Sequence, residues 1–324
     1  MTGLSDSFQR PINYLRVSIT DRCNLRCFYC MPPQGIALMS HMDILTFDEI
    51  RRVAEAAAEL GITKLRLSGG EPLVRLDFPD LVRMLAQVKG IDDLALTTNG
   101  VLLAEFAAEL RGAGLGRVNV SLDSLRRDRF QQITGFDNLD KVLQGIERAK
   151  EVGLLPVKVN MVVMRGVNDD EIPDFARLTV EAGWHMRFIE LMPFARATAS
   201  LFVSEEEIRQ RLRVLGELEP IVGDSGGPAK YYRLPGAGGT LGFISPVSDH
   251  FCFKCNRLRL TADGKLRPCL LSDFEMDLKG ALRRGADREK LKRLIAEAVA
   301  SKPECHKLGE GIVPQGRTMS QMGG

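Results

Sequence analysis

Residues 15–30, LRVSITDRCNLRCFYC, combine a strand pattern with a cysteine motif. The stretch begins with alternating apolar residues, which are typical of a β-strand. Three cysteines follow directly, in the spacing Cys23-x3-Cys27-x2-Cys30. Because α/β proteins carry their functional loops at the carboxyl ends of parallel strands, three thiolates at this point favour chemistry over structure.

Short apolar runs alternate with longer helical patterns from residue 15 to about residue 215, which indicates repeated βα units around a parallel sheet. Helices are predicted at 47–60 and 138–152. Strands are predicted at 15–20, 64–69, 94–98, 117–123, 156–164 and 186–192. Six parallel units predict an α/β fold close to an incomplete (β/α)6 barrel.

Residues two apart on a strand share a face of the sheet, so each strand can be divided by parity. One parity is apolar, as in Leu15, Val17 and Ile19, and should pack against the helices. A wet, positively charged lumen for an anionic substrate is favoured over a sheet with one solvent-facing side, since parallel sheets are normally covered on both faces. The alternation in the sixth predicted strand is less regular, so pattern alone does not show on which face of the sheet Arg187 lies. The polar parity comprises Arg16, Ser18, Thr20, Arg66, Ser68, Thr97, Asn99, Asn119, Ser121, Asp123, Lys158 and Asn160.

Composition limits the function classes. The 324 residues are 44% hydrophobic and 27% charged, as in an ordinary globular protein, and the net charge of +2 provides no general field for a long polyanion. A nucleotide therefore fits better than a nucleic acid. No export signal and no membrane-length apolar run stands out, so a cytoplasmic protein without membrane contact is expected. In that reducing compartment the seven cysteines suggest metal ligation, not disulfides.

The first cysteine group can ligate zinc or an iron–sulfur cluster. A structural zinc site normally has four protein ligands, so zinc would need a remote ligand such as His41. A four-iron cubane on three thiolates instead keeps one iron open for a substrate or cosubstrate. Downstream, Gly69-Gly70-Glu71-Pro72 ends the second predicted strand, either as a simple turn or as a close backbone approach to a ligand.

The C-x3-C-x2-C form, with Tyr29 before its last cysteine and the glycine motif after it, resembles the radical S-adenosylmethionine (SAM) superfamily. The resemblance implies a 4Fe-4S cluster on the first cysteine group. Its open iron would be chelated by the amino and carboxylate groups of SAM, and an electron from the cluster would cleave SAM to a 5'-deoxyadenosyl radical. Tyr29 would then contact SAM.

From about residue 217 the alternation of strand and helix patterns ends, and loops rich in Gly and Pro follow. We expect a partial barrel over 1–216, a smaller C-terminal module over 217–300 and a polar tail over 301–324.

That module carries a second group, Cys252-x2-Cys255-x13-Cys269. From spacing alone, a small zinc ribbon completed by His250 or Cys305 stays open. The neighbouring Arg257 and Arg259 alternate with leucines, so both guanidiniums would face one way, near the metal and ready for phosphate.

Here the resemblance narrows to the GTP 3',8-cyclase family of molybdenum cofactor biosynthesis, and it runs over nearly the whole chain. It implies a second 4Fe-4S cluster whose open iron binds guanine, with Cys252, Cys255 and Cys269 as ligands. The positions that match SAM contacts are Gly70, Ser121 and Met192, besides Tyr29. The positions that match GTP contacts are Arg16, Arg66, Thr97, Lys158, Arg257, Leu258 and Arg259.

The resemblance also implies the reaction, which is that of a lyase. The deoxyadenosyl radical abstracts the ribose 3' hydrogen of GTP, and the resulting carbon radical attacks C8 of guanine. The family ends in a Gly-Gly pair, matched by Gly323 and Gly324, and these residues with Arg187 are expected to act in catalysis. The implied partners are GTP, an external electron donor and cyclic pyranopterin monophosphate synthase, which receives the product; a homodimer is an open option.

Two rival functions stay open. One is another radical SAM enzyme with an auxiliary cluster, such as a peptide-maturing enzyme, against which the arginines beside the second group argue. The other is a zinc-dependent nucleic-acid-binding module, which the 6% aromatic content and the near-neutral charge disfavour.

Overall fold

The computed structural model describes residues 3–32, 34–192, 196–222, 227–310 and 312–322. Gly323 and Gly324 lie outside the described residues. Within the described ranges, no helix has the length and apolar character needed to cross a membrane.

Strands and helices alternate through the first two thirds of the chain. The strands are β1 (Tyr14–Ser18), β2 (Lys64–Ser68), β3 (Asp93–Thr98), β4 (Arg117–Ser121), β5 (Lys158–Val163), β6 (His185–Glu190), β7 (Glu219–Ile221), β8 (Lys230–Arg233), β9 (Thr240–Ile244), β10 (Arg257–Leu260), β11 (Lys265–Arg267) and β12 (Met276–Asp277). The helices are α1 (Phe47–Glu59), α2 (Phe78–Ala86), α3 (Leu103–Gly112), α4 (Arg127–Thr134), α5 (Leu139–Glu151), α6 (Ile172–Glu181), α7 (Glu205–Leu212), α8 (Leu278–Arg283), α9 (Arg288–Ala300) and α10 (Met319–Met322).

All twelve strands join one sheet, in the order β12-β11-β10-β1-β2-β3-β4-β5-β6-β9-β8-β7. Strands β1 to β6 are parallel neighbours in sequence order, which confirms the six predicted units. The strands after residue 217 extend this sheet at both edges: β10 pairs parallel with β1, and β9 pairs parallel with β6. The division into three domains stays a prediction, but the later strands and the barrel strands share one sheet.

Local sequence explains where several helices begin. Helix α1 starts after Thr46, whose side chain accepts from the Glu49 N–H while the Glu49 carboxylate accepts from the Thr46 N–H. Ser204 and Glu207 form the same reciprocal capping box at α7. Such caps satisfy backbone donors that the first helical turn leaves unpaired.

The apolar parity lies in the core, as the sequence predicted. Leu15, Val17 and Ile19 are each no more than 1% exposed, and the equivalent residues of the other parallel strands join them. The register also places Arg187, which pairs with Asn160 of β5 and so faces the lumen. Glu190 has the opposite parity and is buried. The sheet therefore separates a dry, helix-covered face from a polar face.

Candidate active site

One cavity of about 360 Å³ opens on the polar face, and both cysteine groups line it. The first group, Cys23, Cys27 and Cys30, lies in the loop after β1. The second group comes from the turn Cys252–Lys254, from Cys255 and from Cys269 after β11. The fold thus joins sites that lie more than 220 residues apart in the sequence.

The thiols of the first group interact with one another. Burial, Asp123 and the neighbouring thiolates raise the pKa of Cys27 well above its ordinary value, and burial with the Cys23 charge raises that of Cys30 to about 12. Such a group is unstable as three free anions. A bound cationic metal centre would reverse this effect, because metal coordination deprotonates a thiol outright.

The second group lies in a more positive environment. Burial raises the pKa of Cys255, but the charges of Arg257 and Lys302 outweigh it and lower that pKa to about 6. The Cys269 sulfur also accepts a weak bond from the Leu271 N–H, at 3.4 Å. Burial raises the pKa of Cys269, so the positive environment favours the thiolate form at Cys255, and a thiolate suits ligation of iron.

Among the described residues, no three His, Cys, Asp or Glu side chains are close enough together to hold one metal ion. A cubane does not require that spacing, since each thiolate binds a different iron atom. Three-thiol groups with a shared cavity therefore fit clusters that keep one iron accessible.

The glycine motif packs against the first cysteine loop. Gly70 N–H donates to Thr20 O and Glu71 N–H donates to Arg22 O, both at 2.7 Å. A Cβ on Gly70 would overlap the carbonyl of Arg22, and Gly69 has φ +141°. The glycines are thus needed for loop packing as well as for any approach to a ligand.

Glu71 ties this motif to the end of β3. Its buried carboxylate accepts from the Thr98 hydroxyl at 2.7 Å, from the Asn99 N–H at 2.6 Å and from the Leu73 N–H at 3.1 Å. Burial nonetheless raises its pKa to about 7. These bonds fix the loops around the first cysteine group.

Tyr29, which sequence resemblance assigns to SAM, is held by Asp123. The Tyr29 hydroxyl donates to Asp123 Oδ2 at 2.7 Å, and Asp123 Oδ1 accepts from the Val162 N–H at 2.8 Å. Burial raises the pKa of Asp123 to about 6. The other three residues assigned to SAM, Gly70, Ser121 and Met192, also line the cavity.

Most, but not all, of the residues predicted to contact GTP line the cavity. Thr97 and the four arginines Arg16, Arg66, Arg257 and Arg259 line the cavity, together with Arg187. Lys158 is buried beside Arg187, 5.7 Å from the Tyr231 ring centroid, but it is not among the described lining residues. Leu258 is 1% exposed in the apolar core because its parity faces the helices, so its side chain does not face the cavity.

The buried cations of the polar face repel one another. Burial and the Arg187 charge lower the pKa of Lys158 to about 8, and burial with the nearby arginines Arg66 and Arg257 lowers that of Arg16 to about 10 despite the opposing effect of Tyr14. The Nε atoms of Arg16 and Arg187 are buried and have no hydrogen-bond partner among the described residues. This cluster can accept an anion with several oxygen atoms.

Two tyrosines of this site were missed from the sequence. Tyr14 accepts from Arg66 Nε, and Tyr231 accepts from Arg187. Tyr14 has the same parity as Arg16, so an earlier start of the first predicted strand would have found it. Tyr231 lies on β8, within the segment that its Gly and Pro content suggested was mainly loop, and no signal pointed to it.

The C-terminal segment also reaches the site. Met319 lines the cavity, and Arg259 Nη1 donates to the Met322 carbonyl at 3.4 Å. The backbone of Ser320 hydrogen-bonds to Cys30. The described chain up to Met322 therefore contacts both Cys30 of the first group and Arg259, which acts electrostatically on the second group.

Comparison with known proteins agrees with this geometry. Residues 17–179 match the Radical SAM superfamily, and residues 184–308 match Molybdenum Cofactor Synthesis C. The Streptococcus suis protein SuiB, bound to its precursor peptide SuiA, has a similar fold with TM-score 0.65 at 12% identity, over 98% of this chain and 76% of that one. The fold and the first cysteine group define a radical SAM enzyme.

Similarity over the full length is more specific. The chain is 53% identical to GTP 3',8-cyclase of Moorella thermoacetica, over 99% of this chain and 100% of that protein. It is 50% identical to GTP 3',8-cyclase of Thermodesulfovibrio yellowstonii, again over 99% and 100%. The chain belongs to the GTP 3',8-cyclase family.

Proposed function

We infer that this protein cyclises GTP to (8S)-3',8-cyclo-7,8-dihydroguanosine 5'-triphosphate, the first step of molybdenum cofactor biosynthesis. The observation that carries this inference is that both cysteine groups line one cavity, with arginines on its walls. Full-length similarity to GTP 3',8-cyclases supports the same reaction.

The two cysteine groups would hold two clusters with different roles. Cys23, Cys27 and Cys30 would hold one 4Fe-4S cluster, and Cys252, Cys255 and Cys269 the other. With SAM bound, the first cluster supplies a 5'-deoxyadenosyl radical. The chain's own task is to orient GTP so that its ribose 3' hydrogen faces that radical and to exclude water from the cavity.

Phosphate binding would fall to the cations of the polar face. Arg16, Arg66, Lys158, Arg187 and Arg259 repel one another when no anion is bound, and a triphosphate would relieve that repulsion. Arg257 is close to Cys255 and would lie near the guanine end, if the second cluster binds the base. Thr97 would add a hydroxyl contact, and Leu258 could contribute only backbone atoms.

SAM would bind on the side of the first group. Tyr29, fixed by Asp123, would contact it directly, and the backbone at Gly70 would approach its methionine portion. Ser121 and Met192 complete this proposed set. The packing of Gly70 against Arg22 gives a second reason for glycine there.

Further partners belong to the same proposal. Reduction requires an external electron donor, and cyclic pyranopterin monophosphate synthase would consume the product. The cytoplasm supplies both partners and keeps the cysteines reduced. Gly323 and Gly324 would help position the reactants with Arg187, and a homodimer remains an option.

Isotope transfer tests the function. Reconstituted protein is incubated anaerobically with SAM, a strong reductant and GTP deuterated at C3'. We expect deuterium in 5'-deoxyadenosine and a cyclised nucleotide separable from GTP. Formation of 5'-deoxyadenosine without deuterium, with GTP unchanged, would contradict the proposed function.

A further inference from the structure

Two buried cations lie behind the second cysteine group, and no step above uses them as ligands or substrate contacts. Lys302 follows α9 and is 3% exposed, while Arg10 lies in an N-terminal turn and is 6% exposed. A buried cation is costly unless hydrogen bonds or opposite charges compensate it. The partners of these two cations therefore indicate what each one does.

Lys302 connects the backbone next to two of the three cysteines. Its Nζ donates to the carbonyl of Arg257 at 2.8 Å and to the carbonyl of Pro268. Arg257 is two residues after Cys255, and Pro268 directly precedes Cys269. One ammonium group thus fixes the start of β10, which follows Cys255, relative to the end of β11, which precedes Cys269.

Arg10 connects the third cysteine to the same segment. Its Nη1 donates to the carbonyl of Cys252 at 2.7 Å and to that of Glu304 at 2.6 Å. Its Nη2 donates to the carbonyl of Pro303 at 2.7 Å, and its Nε pairs with buried Asp6 at 2.6 Å. The backbone of Cys252 is therefore tied to residues that directly follow Lys302.

The positive charge of Lys302 acts on the second cysteine group in addition to these hydrogen bonds. The Lys302 ammonium acts electrostatically on both Cys255 and Cys269. A fixed positive charge in a buried position is screened little by solvent. It favours an anionic centre over a neutral one and favours the more reduced state of a cluster.

We propose that Lys302 and Arg10 are positioning residues for the second iron–sulfur cluster, with Lys302 also supplying a fixed positive charge beside it. The proposal rests on the inference above that Cys252, Cys255 and Cys269 hold such a cluster. The turn at residues 6–10 and segment 302–304 are then part of the second cluster site, although they contain none of its ligands.

The test compares Lys302→Met with Lys254→Met, in reconstituted full-length protein. Lys254 is exposed between Cys252 and Cys255, so the control removes a lysine closer in sequence to the ligands but without the backbone bonds. Iron per chain, the electron paramagnetic resonance signal of the reduced second cluster and its midpoint potential are measured. Cys269→Ala provides the reference for a protein with only the first cluster.

Lys302→Met should lose iron toward the Cys269→Ala level, and any second cluster that remains should have a more negative midpoint potential. Lys254→Met should keep its iron and its signal. Arg10→Gln should lose second-cluster iron in the same way. Lys302→Arg, which keeps charge and donors, should have a midpoint close to that of the wild type.

Full iron with an unchanged signal and midpoint in both Lys302→Met and Arg10→Gln would overturn the proposal. Equal loss of iron from both cysteine groups would also overturn it, because that would indicate a general role in folding. A wild-type protein that binds only about four irons, the content of one cubane, would instead refute the two-cluster function on which the proposal rests.

Discussion

Single residues of the polar face concentrate positive charge beside the cavity. Arg259 is 7% exposed, and burial together with the charges of Arg16 and Arg257 lowers its pKa well below the ordinary value. Lys158 is 8% exposed beside Arg187. A bound triphosphate would offset the repulsion that these two cations experience from the neighbouring arginines.

Arg259→Ala and Lys158→Ala should therefore weaken binding of GTP more than binding of guanosine. A charge-assisted hydrogen bond contributes about 1.5–3 kcal/mol, so the GTP dissociation constant should rise about tenfold or more. Anaerobic calorimetry measures both ligands. Arg293→Ala, on the exposed side of α9, is the control that should change neither; equal losses for GTP and guanosine would argue against phosphate contact.

The pH dependence of binding follows from Lys158. Burial and the Arg187 charge lower its pKa from 10.5 to about 8, so the free protein loses this charge as pH rises through about 8. Phosphate stabilises the ammonium form and should raise the pKa, so GTP binding takes up a proton and weakens with rising pH.

Calorimetry at about pH 8.5 in two buffers with different ionisation enthalpies measures this proton uptake. Lys158→Gln, which cannot titrate, should show less uptake than the wild type. The same uptake in both proteins would exclude Lys158 as the source.

Parity allowed the lumen residues to be found from the sequence, because it depends only on neighbours along one strand. It located Arg16 and Arg66 correctly. It could not find Arg10 or Lys302, whose bonds to the second cysteine group are made to backbone carbonyls more than 30 residues away. Nor could it place Arg187, which required the register with Asn160.

At the scale of elements, the segment before α10 is fixed by one ion-pair cluster. Arg317 pairs with Asp263 at 2.9 Å and with Glu275 at 2.5 Å. Although burial opposes it, Arg317 lowers the pKa of both carboxyl groups. This cluster holds the last described turn of the chain beside Cys30 and Arg259.

Asp263→Asn should loosen that segment without removing iron. Hydrogen exchange of the backbone at 312–322 should become faster, because the charged partner of Arg317 is partly lost. Glu109→Gln, exposed on α3, is the matched control and should leave exchange there unchanged. Unchanged exchange in Asp263→Asn would mean that other contacts hold the segment.

Strand and helix positions in the barrel were predictable, since each βα unit has its own apolar period and turn residues. The predicted helix at 47–60 corresponds to α1 and that at 138–152 to α5. The edge strands were not predictable, because β7, β11 and β12 contain only two or three residues each. Their pairing depends on distant strands, not on local pattern.

At the scale of the whole molecule, one sheet brings together two cysteine groups from opposite ends of the sequence. Strand β10 pairs with β1, so the segment that follows Cys255 lies beside the strand that precedes Cys23. The sequence predicted each group but not this adjacency, because spacing within a group contains no information about distance between groups. The shared cavity is what makes two different clusters useful to one reaction.

The most direct test compares Cys30→Ala with Cys269→Ala, each reconstituted and supplied with SAM, GTP and reductant without oxygen. Cys30→Ala should form neither 5'-deoxyadenosine nor cyclised nucleotide, because the first cluster is required to cleave SAM. Cys269→Ala should still bind about four irons, the content of one cubane, and form 5'-deoxyadenosine but lose most cyclisation. Full cyclisation by Cys269→Ala, with iron only at the first group, would contradict the assignment of a second, substrate-binding cluster.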